Sequence, residues 1–322
     1  MQGNAAVRLR KLQIVLQSAE HTRRPQLGKE NLTALRTEIR GERQVLYKAD
    51  LHTHSTASDG QYMPSELVRL AKARGLELLA LTDHDTIDGL DEAIHAGELL
   101  NLRVLSGVEL STREYRNLHI LGYGFPGEPS ALTRLCAEMK AGRDERKYRI
   151  IDFLHEKGVD ISLEEVEELA GGDVIGRPHF AQVMVRHGYV QSNREAFDRY
   201  LDTGEYQRIE RQKPGVRTCI EAIKSAGGKA SLAHPYQVGL DDGDLEVLVQ
   251  RLAEYGLDAI ECYYPKHTLE QQVFFLHLTE KYHLRVTGGS DFHGEQVKPD
   301  IGLAALELET DWLFLDSPQT SP

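Results

Sequence analysis

From Val45 onward the chain shows two hydrophobic rhythms. Short apolar runs, each closed by polar residues, recur at Val45–Asp50, Leu78–Thr82, Arg103–Val108, Leu118–Tyr123, Ala230–Ala233, Ala259–Tyr263 and Arg285–Thr287, and runs of this kind predict strands. Between several of them apolar residues return at helical spacing, as in Pro64–Arg74, where Pro64 suits the first turn, and in Ile87–Leu100. Strands alternating with helices predict a parallel α/β arrangement. The stretch from about 126 to 228 departs from this rhythm, carrying helical patterns without a convincing strand. It predicts a helical subdomain inserted between the fourth and fifth strands. Residues 1–45 hold one apolar-periodic stretch, Val7–Leu16, and then polar sequence, which predicts a short helix and a linker. The expected organisation is an N-terminal extension at 1–45, α/β parts at 46–125 and 229–310 around the insertion at 126–228, and a tail at 311–322.

Composition narrows the class. With 322 residues, 40% hydrophobic and 27% charged, the chain can bury a sizeable core. No apolar run approaches the ~18 residues of a membrane span and no secretory leader is visible, so a cytoplasmic protein without a membrane partner is expected. Cys136, Cys219 and Cys262 lie far apart and form no Cys-x-x-Cys pair; buried thiols are expected rather than disulfides or a thiolate zinc site. The net charge of −12 is uneven, because residues 1–48 carry ten Lys/Arg against four Asp/Glu, a net of +6 that leaves −18 for the rest. An acidic body disfavours binding to long nucleic acid, which rests on neutralising phosphates.

The chemistry gathers where the strands end. The segment KADLHTHSTASDG places His52 and His54 at alternate positions of a strand end, so both rings point the same way, with Asp59 in the loop beyond. The second strand ends in Thr82-Asp83-His84-Asp85 and the third in Gly107-Val108-Glu109; the fourth carries His119. The fifth ends in Ala233-His234-Pro235, and the seventh in Gly289-Ser290-Asp291-Phe292-His293. The C-terminal face of an α/β barrel is where such loops meet at one mouth. Six strand ends bearing His, Asp or Glu predict a metal site there.

The set His52-x-His54, Thr82-Asp83-His84, Gly107-x-Glu109, His119, His234-Pro235 and Asp291-x-His293, in this order over residues 46–305, closely resembles the polymerase and histidinol phosphatase (PHP) superfamily. The helical insertion places the chain nearest that superfamily's nucleoside 3′,5′-bisphosphate phosphatases and 5′-to-3′ exoribonucleases. The resemblance implies an α/β fold, a distorted (β/α)7 barrel with an inserted helical subdomain, and a trinuclear metal centre. Carried over, His52, His54, Glu109 and Asp291 would hold one ion. Glu109, His119 and His234 would hold a second, with Glu109 bridging, and Asp59, His84 and His293 the third. Imidazoles and carboxylates without thiolates suit two to three ions of Mn²⁺, Zn²⁺ or Fe²⁺ better than Mg²⁺ or Ca²⁺. Asp83 and Asp85 read as hydrogen-bonding supports.

Divalent cations acidify a bound water and neutralise a phosphate ester, so hydrolysis by a metal-bound hydroxide needs no side-chain nucleophile. None is evident in the sequence. The insertion is expected to grip the substrate. Gly176-Arg177-Pro178-His179 follows Gly171-Gly172-Asp173 and matches an Arg/Gly-x-His element of the related phosphatases. Arg177 is expected to hold phosphate through its planar fork, and His179 to add a hydrogen bond or protonate the leaving oxygen. Arg143 and Arg146, three apart on a predicted helix in a stretch where the resembled phosphatases carry a similar Arg-x-x-Arg, are expected to join them in substrate binding. The segment Ile209–Pro214 departs from the family pattern, and His267, after the sixth strand, is expected in solvent. The leading expectation is a metal-dependent phosphoesterase acting on small nucleotides, such as nucleoside 3′,5′-bisphosphates, or on the 5′ ends of short RNA. The alternatives are a histidinol-phosphate-type phosphatase, amide or lactone hydrolysis, and a metal-binding scaffold without appreciable turnover.

Overall fold

The computed structural model describes residues 46–126, 130–170, 175–209 and 213–314. The expected helix at Val7–Leu16, the Gly171–Asp173 stretch, Glu210–Gln212 and the tail beyond residue 314 lie outside them.

Eight strands form one sheet: β1 (Leu46–Asp50), β2 (Leu78–Leu81), β3 (Arg103–Ser111), β4 (His119–Tyr123), β5 (Lys229–Leu232), β6 (Ala259–Tyr263), β7 (Arg285–Gly288) and β8 (Leu306–Glu309). Their order, β7-β6-β5-β4-β3-β2-β1-β8, follows the chain except at the end, where β8 pairs antiparallel with the foot of β1. At the other end of the strands β1 reaches β7 directly. Leu51 N–H donates to Gly288 O at 3.2 Å, Asp291 N–H to His52 O at 2.8 Å and His54 N–H to Phe292 O at 2.9 Å. The sheet is thus a nearly closed barrel with seven strands around its mouth and β8 wedged in at the base.

Side-chain alternation explains the layering. In β2, Leu78 and Ala80 face the barrel interior with Ala49, Leu105, Leu121 and Tyr123, while Leu79 and Leu81 face the helices outside. Both faces are covered, so the strand reads as an unbroken apolar run. Helices α1 (Pro64–Ala73) and α2 (Leu90–Leu100) cover one stretch of the outer wall. The first starts at Pro64, with Glu66 accepting from Met63 N–H at 3.0 Å; the second stops at Asn101, whose φ of 49° ends the helical turn.

Two features depart from a purely parallel barrel. Strand β4 runs antiparallel to both β3 and β5, because residues 112–118 are too few for a crossover, which needs about a dozen residues. The eighth strand, absent from the sequence-based expectation, adds a further antiparallel pairing.

Between β4 and β5 lie α3 (Ala131–Glu156), α4 (Leu163–Ala170), α5 (Arg177–Arg186), α6 (Asn193–Ala196), which runs into a π-helical turn at Phe197–Leu201, α7 (Gly204–Gln207) and α8 (Val216–Ser225). Helix α3 serves two cores. Leu132, Leu135, Cys136 and Met139 pack on the barrel, whereas Ile150, Ile151, Phe153 and Leu154 pack in a separate cluster with Phe180, Met184, Leu201 and Tyr206. Arg143, Arg146 and Lys147 occupy the turns between those two apolar runs. Helices α9 (Asp242–Glu254) and α10 (Leu269–Lys281) complete the outer wall.

Candidate metal centre

Each strand end contributes for a local reason. His52 and His54 follow β1, with Thr53 bridging to Phe292 between them, so the two rings share one face at the mouth. His84 pairs with Glu109 of β3 in a parallel bridge, with Asp85 N–H donating to Glu109 O at 2.9 Å and Glu109 N–H to Asp83 O at 3.1 Å. His119 stands at the start of β4, which reaches the mouth because that strand is antiparallel. Glu109 pairs with Leu121 and Ser111 with His119, so Glu109 and His119 lie on one face two positions apart. Asp85, His234 and Asp291 have φ of 57°, 25° and 58°, a costly conformation for non-glycine residues and one that clusters at functional sites. Gly289 is required where it stands, since a Cβ there would lie 2.3 Å from His52 Cβ.

Glu109, fully buried, organises the cluster. Its Oε2 has His52 Nε2 at 3.2 Å, His54 Nε2 at 3.3 Å and His84 Nδ1 at 3.0 Å; its Oε1 has His119 Nδ1 and His234 Nε2, each at 2.8 Å. Asp291 Oδ1 stands 3.3 Å from His54 Nε2 and 3.7 Å from His52 Nε2. Asp59 Oδ1 is 3.2 Å from His293 Nε2 and its Oδ2 3.8 Å from His84 Nε2. Three groups of donor atoms therefore gather within 4.8 Å: His52, His54, Glu109 and Asp291; His54, Asp59, His84 and His293; and His84, Glu109 and His119. These hold eight of the nine residues singled out in the sequence; the third differs from the expected set of Glu109, His119 and His234 in having His84 for His234, which joins the cluster through its 2.8 Å contact with Glu109.

Burial, charge and unmet valence agree on what this cluster can hold. His52 Nε2, both nitrogens of His54, His84 Nδ1, His234 Nδ1 and Glu109 Oε2 are buried without a hydrogen-bond partner. Such atoms are costly unless something satisfies them. Several lie near one another yet lack hydrogen-bond geometry, so they aim at common points rather than at each other. Burial alone would raise the pKa of Glu109 and Asp291, but the imidazoles of His84 and His52 hold Glu109, and those of His52 and His54 hold Asp291, well below the usual carboxylate range. Burial lowers His84 to about 3, whereas for His54 the neighbouring carboxylates of Asp291 and Glu109 outweigh burial and raise it to about 9. These two rings lie 4.5 Å apart, and like charges at that distance exclude one another. The arrangement fits divalent cations on imidazole and carboxylate ligands.

Of the next layer the sequence reading named only Asp83 and Asp85, and missed Glu261, Tyr264, Lys298 and Asp50. Glu261, inside β6, accepts from His52 Nδ1 at 3.0 Å through Oε1 and from His234 N–H at 2.7 Å through Oε2. Asp291 Oδ2 accepts from Lys298 Nζ at 2.8 Å and from Tyr264 Oη at 3.2 Å, which leaves Oδ1 for the cluster. Buried Asp50, raised by burial to about 6 against the hydrogen bonds from Ser290, also accepts from Ala304 N–H. Asp83 accepts from Ser55 N–H and from the hydroxyls of Ser55 and Ser58, steadying the loop that carries Asp59. A carboxylate at an inward position of a buried strand was the available signal for Glu261.

A cavity of about 270 Å³ opens beside the cluster, lined by Asp59, His84 and His119 and by Arg143, Arg146 and Arg177. Arg143 donates to His84 O and Asp85 Oδ2, each at 3.0 Å; Asp85 also accepts from Ser111 N–H. Arg146 donates to Ile209 O at 3.1 Å, and Arg177 pairs with Asp202 at 2.5 Å. His179 does not line this cavity. Its Nδ1 accepts from Gly176 N–H at 3.0 Å, fixing the first turn of α5, and burial lowers its pKa. His267 corrects an expectation: it is 6% exposed, not in solvent, because Phe275 of α10 packs on its ring and its Nδ1 bonds Cys262 O at 3.0 Å. Cys136, Cys219 and Cys262 are buried thiols, as expected.

A family model described as PHP domain matches residues 50–210. The chain is 37% identical over 247 residues to a 5′-3′ exoribonuclease of Haemophilus influenzae, covering 76% of this chain and 90% of that protein. It is 34% identical to a 3′,5′-nucleoside bisphosphate phosphatase of Chromobacterium violaceum, covering 76% and 86% respectively. A solved structure from Bifidobacterium adolescentis, assigned as a metal-dependent phosphoesterase, superposes with a TM-score of 0.67 at 28% identity, covering 84% of this chain and 97% of the other.

Proposed function

The chain belongs to the PHP domain family and is a metal-dependent phosphoesterase, and from that premise we propose that it hydrolyses phosphate esters of small nucleotides, nucleoside 3′,5′-bisphosphates or the 5′ ends of short oligoribonucleotides. One observation carries the reading: five imidazole nitrogens surround the two oxygens of buried Glu109, and two of those rings, His84 and His119, line a cavity that Arg143, Arg146 and Arg177 line as well. The nine ligands named above would hold two to three ions of Mn²⁺, Zn²⁺ or Fe²⁺, which would supply an acidified water and neutralise the charge of the reacting phosphate.

The chain's own residues do the rest. Tyr264 and Lys298 hold Asp291 Oδ2 and so leave Oδ1 toward His52 and His54. Glu261 fixes the proton of His52 on Nδ1 and so presents Nε2 to the cluster. Arg143 and Arg146, anchored by Asp85 and Ile209 O, bind a phosphate across the cavity; Arg177 joins them by exchanging Asp202 for the substrate. His179, tied to Gly176, positions Arg177 in this reading rather than donating a proton.

The test combines substrates with a variant. Adenosine 3′,5′-bisphosphate and a short 5′-phosphorylated RNA should exceed adenosine monophosphate and p-nitrophenyl phosphate in kcat/KM, since binding away from the reacting centre orients it. Arg177→Ala should lower that advantage while metal content stays unchanged, because arginine is not a ligand. Equal kcat/KM for all four substrates would refute the nucleotide reading.

A further inference from the structure

Helix α3 borders two cavities, and Arg146 lines both. The second is larger, about 550 Å³, and contains none of the metal-centre residues. It exists because α3 presents Ala141 and Gly142 there, leaving a gap that Pro214 and Gly215 face from the other side. Its charge is cationic: Arg113, Arg146, Arg149 and Lys213 stand against Glu138 and Glu145. Glu145 is already occupied by Arg149 at 2.5 Å. Arg113 is 72% exposed and its carboxylate neighbour, Glu114, lies at 3.9 Å, because Glu114 turns both oxygens to Val216 N–H at the start of α8. The Arg113 guanidinium is therefore only loosely held. Ala141 and Pro214, with the edge of Leu135, add an apolar strip to the wall.

We infer that this second cavity holds the nucleotides that follow the first residue of a single-stranded oligonucleotide, with Arg146 at the point where the chain passes from one cavity to the other. The inference rests on the nucleotide reading above and assigns it a direction: the end being cleaved sits at the metal centre and the remaining strand leaves past α3. Each linking phosphodiester carries one negative charge that spaced cations neutralise, and an apolar strip accepts a base or sugar face. A lone phosphate needs neither the length nor the apolar wall. The volume lies within the range of pockets that enclose drug-sized ligands.

Two double variants of the full chain test this, Arg113→Glu/Lys213→Glu and the milder Arg113→Gln/Lys213→Gln. Neither alters a residue of the metal centre or the first cavity. Against a 5′-phosphorylated pentaribonucleotide the charge reversal should lower kcat/KM at least tenfold and the glutamine pair less, while adenosine 3′,5′-bisphosphate changes by under twofold. The dependence of log kcat/KM on log salt should flatten for the RNA alone, by about 0.7 for each phosphate that is no longer neutralised. Equal decreases on both substrates, or no decrease on RNA, would overturn the inference. Wild-type protein that hydrolyses the bisphosphate but not RNA would overturn it and leave the nucleotide reading intact. Hydrolysis of neither would overturn both.

Discussion

Glu261→Gln isolates the contribution of a carboxylate that stands behind the candidate ligands and belongs to none of their groups. Both oxygens of Glu261 accept, Oε1 from His52 Nδ1 at 3.0 Å and Oε2 from the backbone N–H of His234 at 2.7 Å, and both partners are buried. Glutamine keeps the shape but offers one acceptor oxygen and one NH₂, so one of the two donors then faces another donor. Losing one buried hydrogen bond to a charged group costs about 1.5–3 kcal/mol, which corresponds to roughly 10- to 150-fold in affinity. Partners of metal-bound histidines lie in the same range, about 10- to 100-fold. If His52 turns, the cluster loses Nε2; if His234 shifts, its strained φ of 25° loses the bond that secures it. The expected outcome is about 30-fold weaker binding of the tightest ion, measured by competition with a chromophoric chelator, with turnover largely restored by excess Mn²⁺. Binding within twofold of wild type would refute the reasoning. So would a large fall in melting temperature with unchanged affinity, since Glu261 would then serve only the barrel.

Two further outcomes follow from the same geometry. Lys298→Met removes one of the two donors to Asp291 Oδ2; Lys298 is 34% exposed, so the loss should be about 1 kcal/mol, or ~fivefold in metal affinity and kcat/KM, and an unchanged affinity in the same chelator competition would count against a pinned Asp291. Removing bound ions with a chelator and then restoring them at 100 times their dissociation constant should recover about 2.7 kcal/mol, roughly 5–10 °C in melting temperature; superimposable melting curves would show that the folded chain holds no ion.

How much the sequence reveals varies by residue for physical reasons. The mouth of the barrel is legible because ligands must stand where strands end, and His52, His84, Glu109, His234 and Asp291 each follow an apolar run. The antiparallel course of β4 was also within reach, since residues 112–118 cannot make a crossover. Strand β8 was not: Leu306–Glu309 alternates two leucines with two glutamates, and such a short stretch becomes a strand only because the foot of β1 offers an unpaired edge. His267 misled for a similar reason. Its burial depends on Phe275, which α10 brings back over it, and nothing adjacent in sequence announces that packing. The arginines were expected from the family resemblance, with helical spacing in support of Arg143 and Arg146, but their present partners, Asp85, Asp202 and Ile209 O, belong to distant segments that only the fold brings near.

The clasp at Asp50 has a consequence for how the protein comes into being. Its carboxylate ties the end of β1 to Ser290 and Ala304, 240 and 254 residues further along. Each doubling of such a loop adds only about 0.6 kcal/mol of closure entropy, so the stability penalty is mild, but pairings this remote in sequence slow the search for the native topology. During synthesis, at ~5–20 residues per second, His52 and His54 leave the ribosome many seconds before Asp291 and His293 exist to complete their set. A nascent or truncated chain therefore cannot assemble the full set of ligands, and hydrolytic competence is tied to the last act of barrel closure.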